Sequence, residues 1–307
     1  MLSRQWLFGV LLATSATSAA LAGAQQPSGA VTRLVTLDGR QVRVRLAGLE
    51  RRKRGSPVVV FEAGAMNTLD TWQRVLPNVA AVAPVIAYDR AGLGQSAWDS
   101  IAPTPRHVVT RLRRMLRDIG AEPPYVLVGH SWGGSLMRFY AGYHPTEVAG
   151  VVYVDPGPII TQAVADEIAP FNAIGAGRAG YEAFWSLYAA MVQRASSPAV
   201  RAEFDVYRAL VQRDLSARDL APAPAVPAVV IVAAKPNPSL AGLPYDVSAH
   251  FQADLRHRVR MLQEWALASP RGTLVMSNHT NHAVLREDPD LVVWAVRRVL
   301  AAVPTRP

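Results

Sequence analysis

Pro124-Tyr125-Val126-Leu127-Val128-Gly129-His130-Ser131-Trp132-Gly133-Gly134 decides how the rest of this 307-residue chain is read. Val126 to Val128 is an apolar run of the kind that forms a buried strand, and Ser135-Leu136-Met137-Arg138-Phe139-Tyr140-Ala141 continues as a helix ending near His144-Pro145. Between them stands a serine with glycine two residues before and two after, G-x-S-x-G at a strand-to-helix turn. Such a turn strains the serine backbone, and a larger side chain at either glycine would collide with neighbouring backbone. Two glycines and a serine also meet by chance in many chains. The strand before and the helix after supply the context that lifts this motif above chance.

Outward from this turn, strand and helix patterns alternate. Arg33–Leu37 and Gln41–Leu46 flank Asp38-Gly39, a hairpin signal, so the chain opens with an antiparallel pair. Pro57–Phe61 is a continuous β-branched run, as in a strand covered on both faces. The loop Glu62–Asn67 leads to a helix with Trp72, Val75, Leu76 and Val79 at helical spacing, and Pro84–Tyr88 is the next strand. Thr104-Pro105 caps an amphipathic helix carrying Val108, Leu112, Met115, Leu116 and Ile119 and closed by Gly120. Beyond the serine, Val148–Val154, Val226–Ala233 and Gly272–Met276 read as strands, and 247–268 and 288–302 as helices. The alternation predicts an α/β fold: a mostly parallel eight-stranded sheet with helices on both faces.

Residues 158–222 break the alternation, because they separate two strands by far more than a crossover needs. Their helical patterns carry Phe171, Phe184, Trp185, Tyr188, Phe204 and Tyr207. These aromatics suit a small core of their own, or a helical cap inserted between strands 6 and 7 that lends some of them to an apolar pocket. Different faces can do each. The expected organisation is a core of 25–157 and 223–307 with a cap or lid at 158–222.

Half of the residues are apolar, which suits one large buried core and excludes a disordered chain. Arg4, the apolar Trp6–Leu12 and Ala22-Gly23-Ala24 make residues 1–24 read as a signal peptide, so a secreted or periplasmic location is expected. Its apolar stretch is too short for a span of about 20 residues, and no stable membrane anchor is expected. The absence of cysteine excludes disulfides, thiol catalysis and cysteine-based metal sites. The formal charge of +9 comes almost wholly from arginine, since Lys53 and Lys235 are the only lysines. The arginines are scattered, the densest run being Arg51-Arg52-Lys53-Arg54, with no basic stripe interleaved with aromatics. That pattern suits solvation better than nucleic acid or an anionic membrane.

A serine hydroxyl becomes a nucleophile when a neighbouring imidazole takes its proton. After the last strand stands Ser277-Asn278-His279-Thr280-Asn281-His282-Ala283-Val284-Leu285-Arg286-Glu287-Asp288-Pro289. With Asp89-Arg90-Ala91-Gly92-Leu93-Gly94-Gln95-Ser96 and the Gly-His-Ser-Trp-Gly-Gly turn, this chain resembles the α/β-hydrolase superfamily, and within it the cap-bearing, esterase-like serine hydrolases. The resemblance covers most of the chain beyond residue 24. It implies the order serine, acid, histidine, with Ser131 as nucleophile and His282 favoured over His279, because the histidine of such proteins stands several residues before that proline. His130 reads as structural.

In most members the acid follows the penultimate strand, where this chain has Ala233-Ala234-Lys235-Pro236-Asn237-Pro238 and no carboxylate. A minority place it one strand earlier. Asp155, at the end of Val151–Val154, is therefore favoured over Asp246; a plain turn of Asp155 with Pro156 is the alternative. Two backbone N–H groups must hold the oxyanion. One is that of Trp132 and the other that of Ala65, with Gly64 or Met66 in its place if the register slips. Glu62 looks buried and suited to bracing that loop.

The resemblance implies a carboxylesterase-like enzyme acting on a small-molecule ester or acyl substrate through an acyl-enzyme, with no metal or organic cofactor. Amide or C–C bond hydrolysis, acyl transfer and a non-catalytic ligand-binding member of the fold are the alternatives. An aspartate nucleophile would point to dehalogenase or epoxide hydrolase chemistry; serine argues against both. Oligomeric state is not legible.

Overall fold

The computed structural model describes residues 29–157, 164–194, 197–212, 222, 224–236 and 242–304. The leader read in residues 1–24 lies outside the described residues, as do parts of the 158–222 segment. β1 (Val31–Leu37) and β2 (Arg40–Ala47) pair antiparallel across Asp38 and Gly39, whose φ angles of 52° and 72° are the positive pair that a two-residue hairpin turn demands. β3 (Val58–Glu62), β4 (Val85–Tyr88), β5 (Tyr125–His130), β6 (Val148–Val154), β7 (Ala228–Ala233) and β8 (Gly272–Ser277) complete one eight-stranded sheet. Its order is β1-β2-β4-β3-β5-β6-β7-β8; β2 meets β4 antiparallel, and every later pairing is parallel.

The continuous apolar runs follow from that arrangement. Alternate side chains of a strand point to opposite faces, and both faces of this sheet are covered. Val58, Val60, Leu127, Tyr153 and Val230 lie in one core, with residues of α2 (Pro105–Asp118), α3 (Trp132–Tyr143) and α7 (Val247–Leu267). Val59, Phe61, Val126, Val128, Val152 and Ile231 lie in the other, with Trp72 and residues of α9 (Pro289–Ala302). Each such side chain contributes roughly 1.5–3 kcal/mol by leaving water.

Local signals end the helices as expected. Thr104 Oγ1 accepts from the His107 N–H (3.3 Å) at the head of α2, and Gly120, at φ 76°, follows its end. The helix expected through Trp72 to Val79 is instead a 3-10 turn, Leu69–Trp72, and a short α1, Leu76–Ala80. Pro77 has no N–H to continue a helix from the preceding turn, but it fits at the start of a new one.

Between β6 and β7 stand α4 (Val164–Asn172), α5 (Gly177–Gln193) and α6 (Pro198–Val211), which bury Phe171, Tyr181, Trp185 and Phe204 in a core of their own. A short α8 (Val284–Glu287) precedes α9. Among the described residues no helix is long and apolar enough to cross a membrane. Parallel pairing places the C-terminal ends of β3, β5, β6, β7 and β8 along one edge of the sheet, where open α/β sheets carry their sites.

Candidate active site

Ser131 leaves β5 and heads α3 with φ 53° and ψ −125°, a conformation L residues rarely adopt. Its neighbours leave it little choice. A Cβ on Gly129 would collide with the Gly133 carbonyl, and one on Gly133 with those of Glu62 and Ala63. The Ser131 N–H donates to Val154 O at 3.0 Å. Strain of about 1–3 kcal/mol persists in such a place because surrounding contacts over-determine it.

Three side chains from the ends of different strands meet here. His282, in the loop after β8, has Nε2 2.9 Å from Ser131 Oγ, and its Nδ1 lies 2.7 Å from Asp155 Oδ2. Asp155, just past β6, is 3% exposed; its Oδ1 accepts from the Ala233 N–H at 2.9 Å and from Arg258 Nη1 at 2.8 Å. Burial alone would push its carboxyl up. The Arg258 charge, the His282 hydrogen bond and the Ala233 amide outweigh burial and hold it well below the usual carboxylate range. An ionised carboxylate only accepts, so Nδ1 carries the imidazole proton and Nε2 is free to accept from the serine hydroxyl.

The alternatives stand elsewhere. Asp246 caps α7 by accepting from the Ser248 and Ala249 N–H groups (2.9 and 3.0 Å), and His279 is exposed. His130 is buried, and Nε2 donates to the His282 carbonyl at 2.9 Å, bracing the loop that carries His282. Burial, then the neighbouring His282, pushes the His130 imidazole down to about 4, so at neutral pH it is uncharged.

The loop after β3 passes beside the serine: a Cβ on Gly64 would stand 3.3 Å from that of Ser131. Of the three amides weighed for the oxyanion, that of Met66 is taken, donating to Glu203 Oε2 at 2.7 Å. The Ala65 N–H has no acceptor among the described residues. The Trp132 N–H belongs to the first turn of α3, where amides have no intrahelical acceptor.

Beneath this loop Arg90, 4% exposed, uses all three guanidinium nitrogens. Nη1 donates to Glu62 Oε1 and Ala63 O, each at 2.7 Å, Nη2 to Gly64 O at 2.7 Å, and Nε to Glu203 Oε1 at 2.6 Å. The Tyr88 hydroxyl donates to Glu62 Oε2. Glu62 is thus fully buried and braces the loop through Arg90. Arg258 and Glu203 escaped the sequence reading. Arg258 carries no local signal, but Glu203 does: it shares the buried face of α6 with Ala199, Phe204 and Leu210.

A cavity of about 230 Å³ opens on Ser131 and His282, walled by Phe184, Trp185, Tyr188 and Tyr207. Trp185 also belongs to the small aromatic core of α4–α6, so this segment supplies both a core and a cleft wall. A larger hollow of about 1120 Å³ lies at the opposite ends of β7 and β8, beside Trp294, and holds none of these residues.

The sheet order, the strained serine at the end of β5 and the polar groups gathered at the strand ends define a protein of the hydrolase class built on an α/β sheet. The chain belongs to the α/β-hydrolase fold family, whose model matches residues 57–278. It is 32% identical over 108 residues to the uncharacterized protein YqjL of Bacillus subtilis (strain 168), covering 35% of this chain and 43% of that protein. It is 32% identical over 110 residues to a haloalkane dehalogenase of Bradyrhizobium diazoefficiens, covering 36% and 35%. The match spans less than half the length of these curated relatives. Among solved structures, Cfl2 from Burkholderia cenocepacia superimposes with a TM-score of 0.58 at 19% identity, over 89% of this chain and 96% of that one.

Proposed function

We propose that this protein is an exported serine hydrolase that cleaves a small carboxylic ester through an acyl-enzyme. The observation that carries the reading is the hydrogen-bonded series Ser131–His282–Asp155, at 2.9 and 2.7 Å. In the first half-reaction Ser131 Oγ attacks the ester carbonyl while its proton passes to His282 Nε2, and Asp155 holds the imidazolium in place. The Ala65 and Trp132 N–H groups receive the oxyanion. Collapse breaks the C–O bond, and the proton on Nε2 leaves with the alcohol. Water then repeats the sequence on the acyl-enzyme, giving the carboxylic acid and restoring Ser131.

The cleft of about 230 Å³ is below the roughly 300–1,000 Å³ of most ligand pockets, which favours a short acyl group against the aromatic wall. In this reading 158–222 acts as a cap on a core of 25–157 and 223–307, and 1–24 is a leader removed on export. The similarity to a haloalkane dehalogenase does not transfer that chemistry, since a fold hosts many reactions and the residue at this turn is serine.

Incubating the folded protein with a fluorophosphonate and with short p-nitrophenyl esters tests the proposal. Labelling confined to Ser131, and a loss of roughly a millionfold in kcat for Ser131→Ala, are expected. A folded wild-type protein that takes neither probe nor ester would refute the reading.

A further inference from the structure

Glu203 is 2% exposed although it is a carboxylate on α6. Both oxygens reach across to the other side of the cleft, Oε1 to Arg90 Nε and Oε2 to the Met66 N–H. Arg90 already has a counter-ion in Glu62. A second buried carboxylate is therefore not needed for neutrality, and burying one is costly unless its hydrogen bonds are specific.

The loop shows what those bonds do. In a trans peptide the N–H points opposite to the C=O. Arg90 Nη2 grips Gly64 O, so the next N–H, that of Ala65, is turned away from Arg90 and left without a protein acceptor. One residue later Met66 has φ 61°, a left-handed conformation costing a non-glycine residue about 1–2 kcal/mol. The bond from its N–H to Glu203 opposes relaxation of that turn. Without Glu203, Arg90 loses its Nε partner and Met66 its restraint together.

We propose that Glu203 is a positioning residue that holds the 63–66 loop, through Arg90 and the Met66 amide, with the Ala65 N–H presented for the oxyanion. α6 then governs turnover as well as the shape of the cleft. The inference rests on the serine hydrolase reading for its chemistry, but its geometric part can be measured separately.

The test compares wild type, Glu203→Ala, Glu203→Gln and, as a control on the exposed face of the same helix, Asp205→Asn. Three quantities are read: kcat per fluorophosphonate-titrated site, KM for a short p-nitrophenyl ester, and backbone hydrogen exchange in 62–68. Glu203→Ala is expected to lower kcat about 10- to 1,000-fold, its upper end being the roughly 10²–10³ of losing an oxyanion donor outright, to change KM less than about threefold, and to speed exchange in 62–68. Glu203→Gln keeps an acceptor for Met66 and recovers part of kcat, while Asp205→Asn matches wild type.

A rise in KM alone, or unchanged kcat per site with unchanged exchange, makes Glu203 a wall or stability residue and overturns the proposal. If Glu203→Ala fails to fold, Glu203→Gln decides by the same measurements. A wild type inert to ester and probe defeats the hydrolase reading instead. Faster exchange in 62–68 of the variants then still supports the hold of Glu203 on the loop, and unchanged exchange overturns it.

Discussion

Arg258, at the edge of the cleft, and Arg90, buried beneath the loop beside Ser131, each lie between two carboxylates, and they differ in what they grip. Arg258 pairs with Asp155 and Asp254 and touches one backbone group, the Ala233 carbonyl. Its main effect is a charge that keeps Asp155 ionised so that the imidazole proton stays on Nδ1. Arg90 pairs with Glu62 and Glu203 and also holds two consecutive carbonyls of the loop beside Ser131. Its effect depends on the directions of its donors. The first cluster tunes a proton, and the second aims an amide.

Of the two clusters, the one around Asp155 should show the larger effect when its carboxylate is removed. Asp155→Asn retains the shape but offers an amide N–H toward Nδ1, which favours the wrong tautomer, and kcat should fall by roughly 10⁴. Asp246→Asn is expected to leave the rate unchanged, since Asp246 only caps α7. Rate measurements showing the reverse pattern would remove Asp155 from the proposed triad.

A smaller effect separates the two arginines directly. Lysine supplies a point charge but not the planar fork of donors. Arg258→Lys should therefore cost less than about threefold in kcat, because Asp155 keeps a nearby cation. Arg90→Lys should cost about tenfold or more, because one ammonium cannot reach both glutamates and both carbonyls. Equal losses in the two variants would mean that charge alone accounts for both clusters.

The smallest effect on rate near neutral pH, yet visible in stability, concerns His130. Its folded-state value of about 4 lies below the roughly 6.5 of a free imidazole, so the unfolded chain binds the proton first. The stability that this neutral ring contributes is complete above about pH 6.5 and is lost as pH falls toward 4, on the order of 3 kcal/mol. Asp155 adds a loss at lower pH, since its carboxyl is held below the ordinary range and contributes only while ionised. Denaturant midpoints between pH 7 and 4 should fall for wild type and stay flatter for His130→Asn. Parallel profiles would place the titrating group elsewhere.

Much of this arrangement is legible along the chain. β3, β5, β6 and β7 read as strands because covering a sheet on both faces requires apolar side chains on both, and Val148–Val154 has the same limits in sequence and structure. Ser131 was legible because close approach of the Gly129 and Gly133 regions to other backbone demands glycine. The break before α1 lies at Pro77, where apolar spacing alone suggests one continuous helix. Glu203 was half legible, as a carboxylate on an apolar helix face whose partner no local pattern names.

The sequence by itself determined which segments become strands and helices and where the serine turn falls, because those depend on neighbours within a few residues. It also determined the order in which serine, aspartate and histidine occur. Only the tertiary structure decided that Asp155 faces His282, 127 positions away, that Arg258 fixes its charge, and that Glu203 meets Arg90 across 113 positions. Those meetings follow from strand order, from the packing of α7 against β7 and β8, and from the contact of α6 with the start of α3 through Tyr207 and Trp132. A charged side chain records only that it needs a partner when buried; the fold chooses which one.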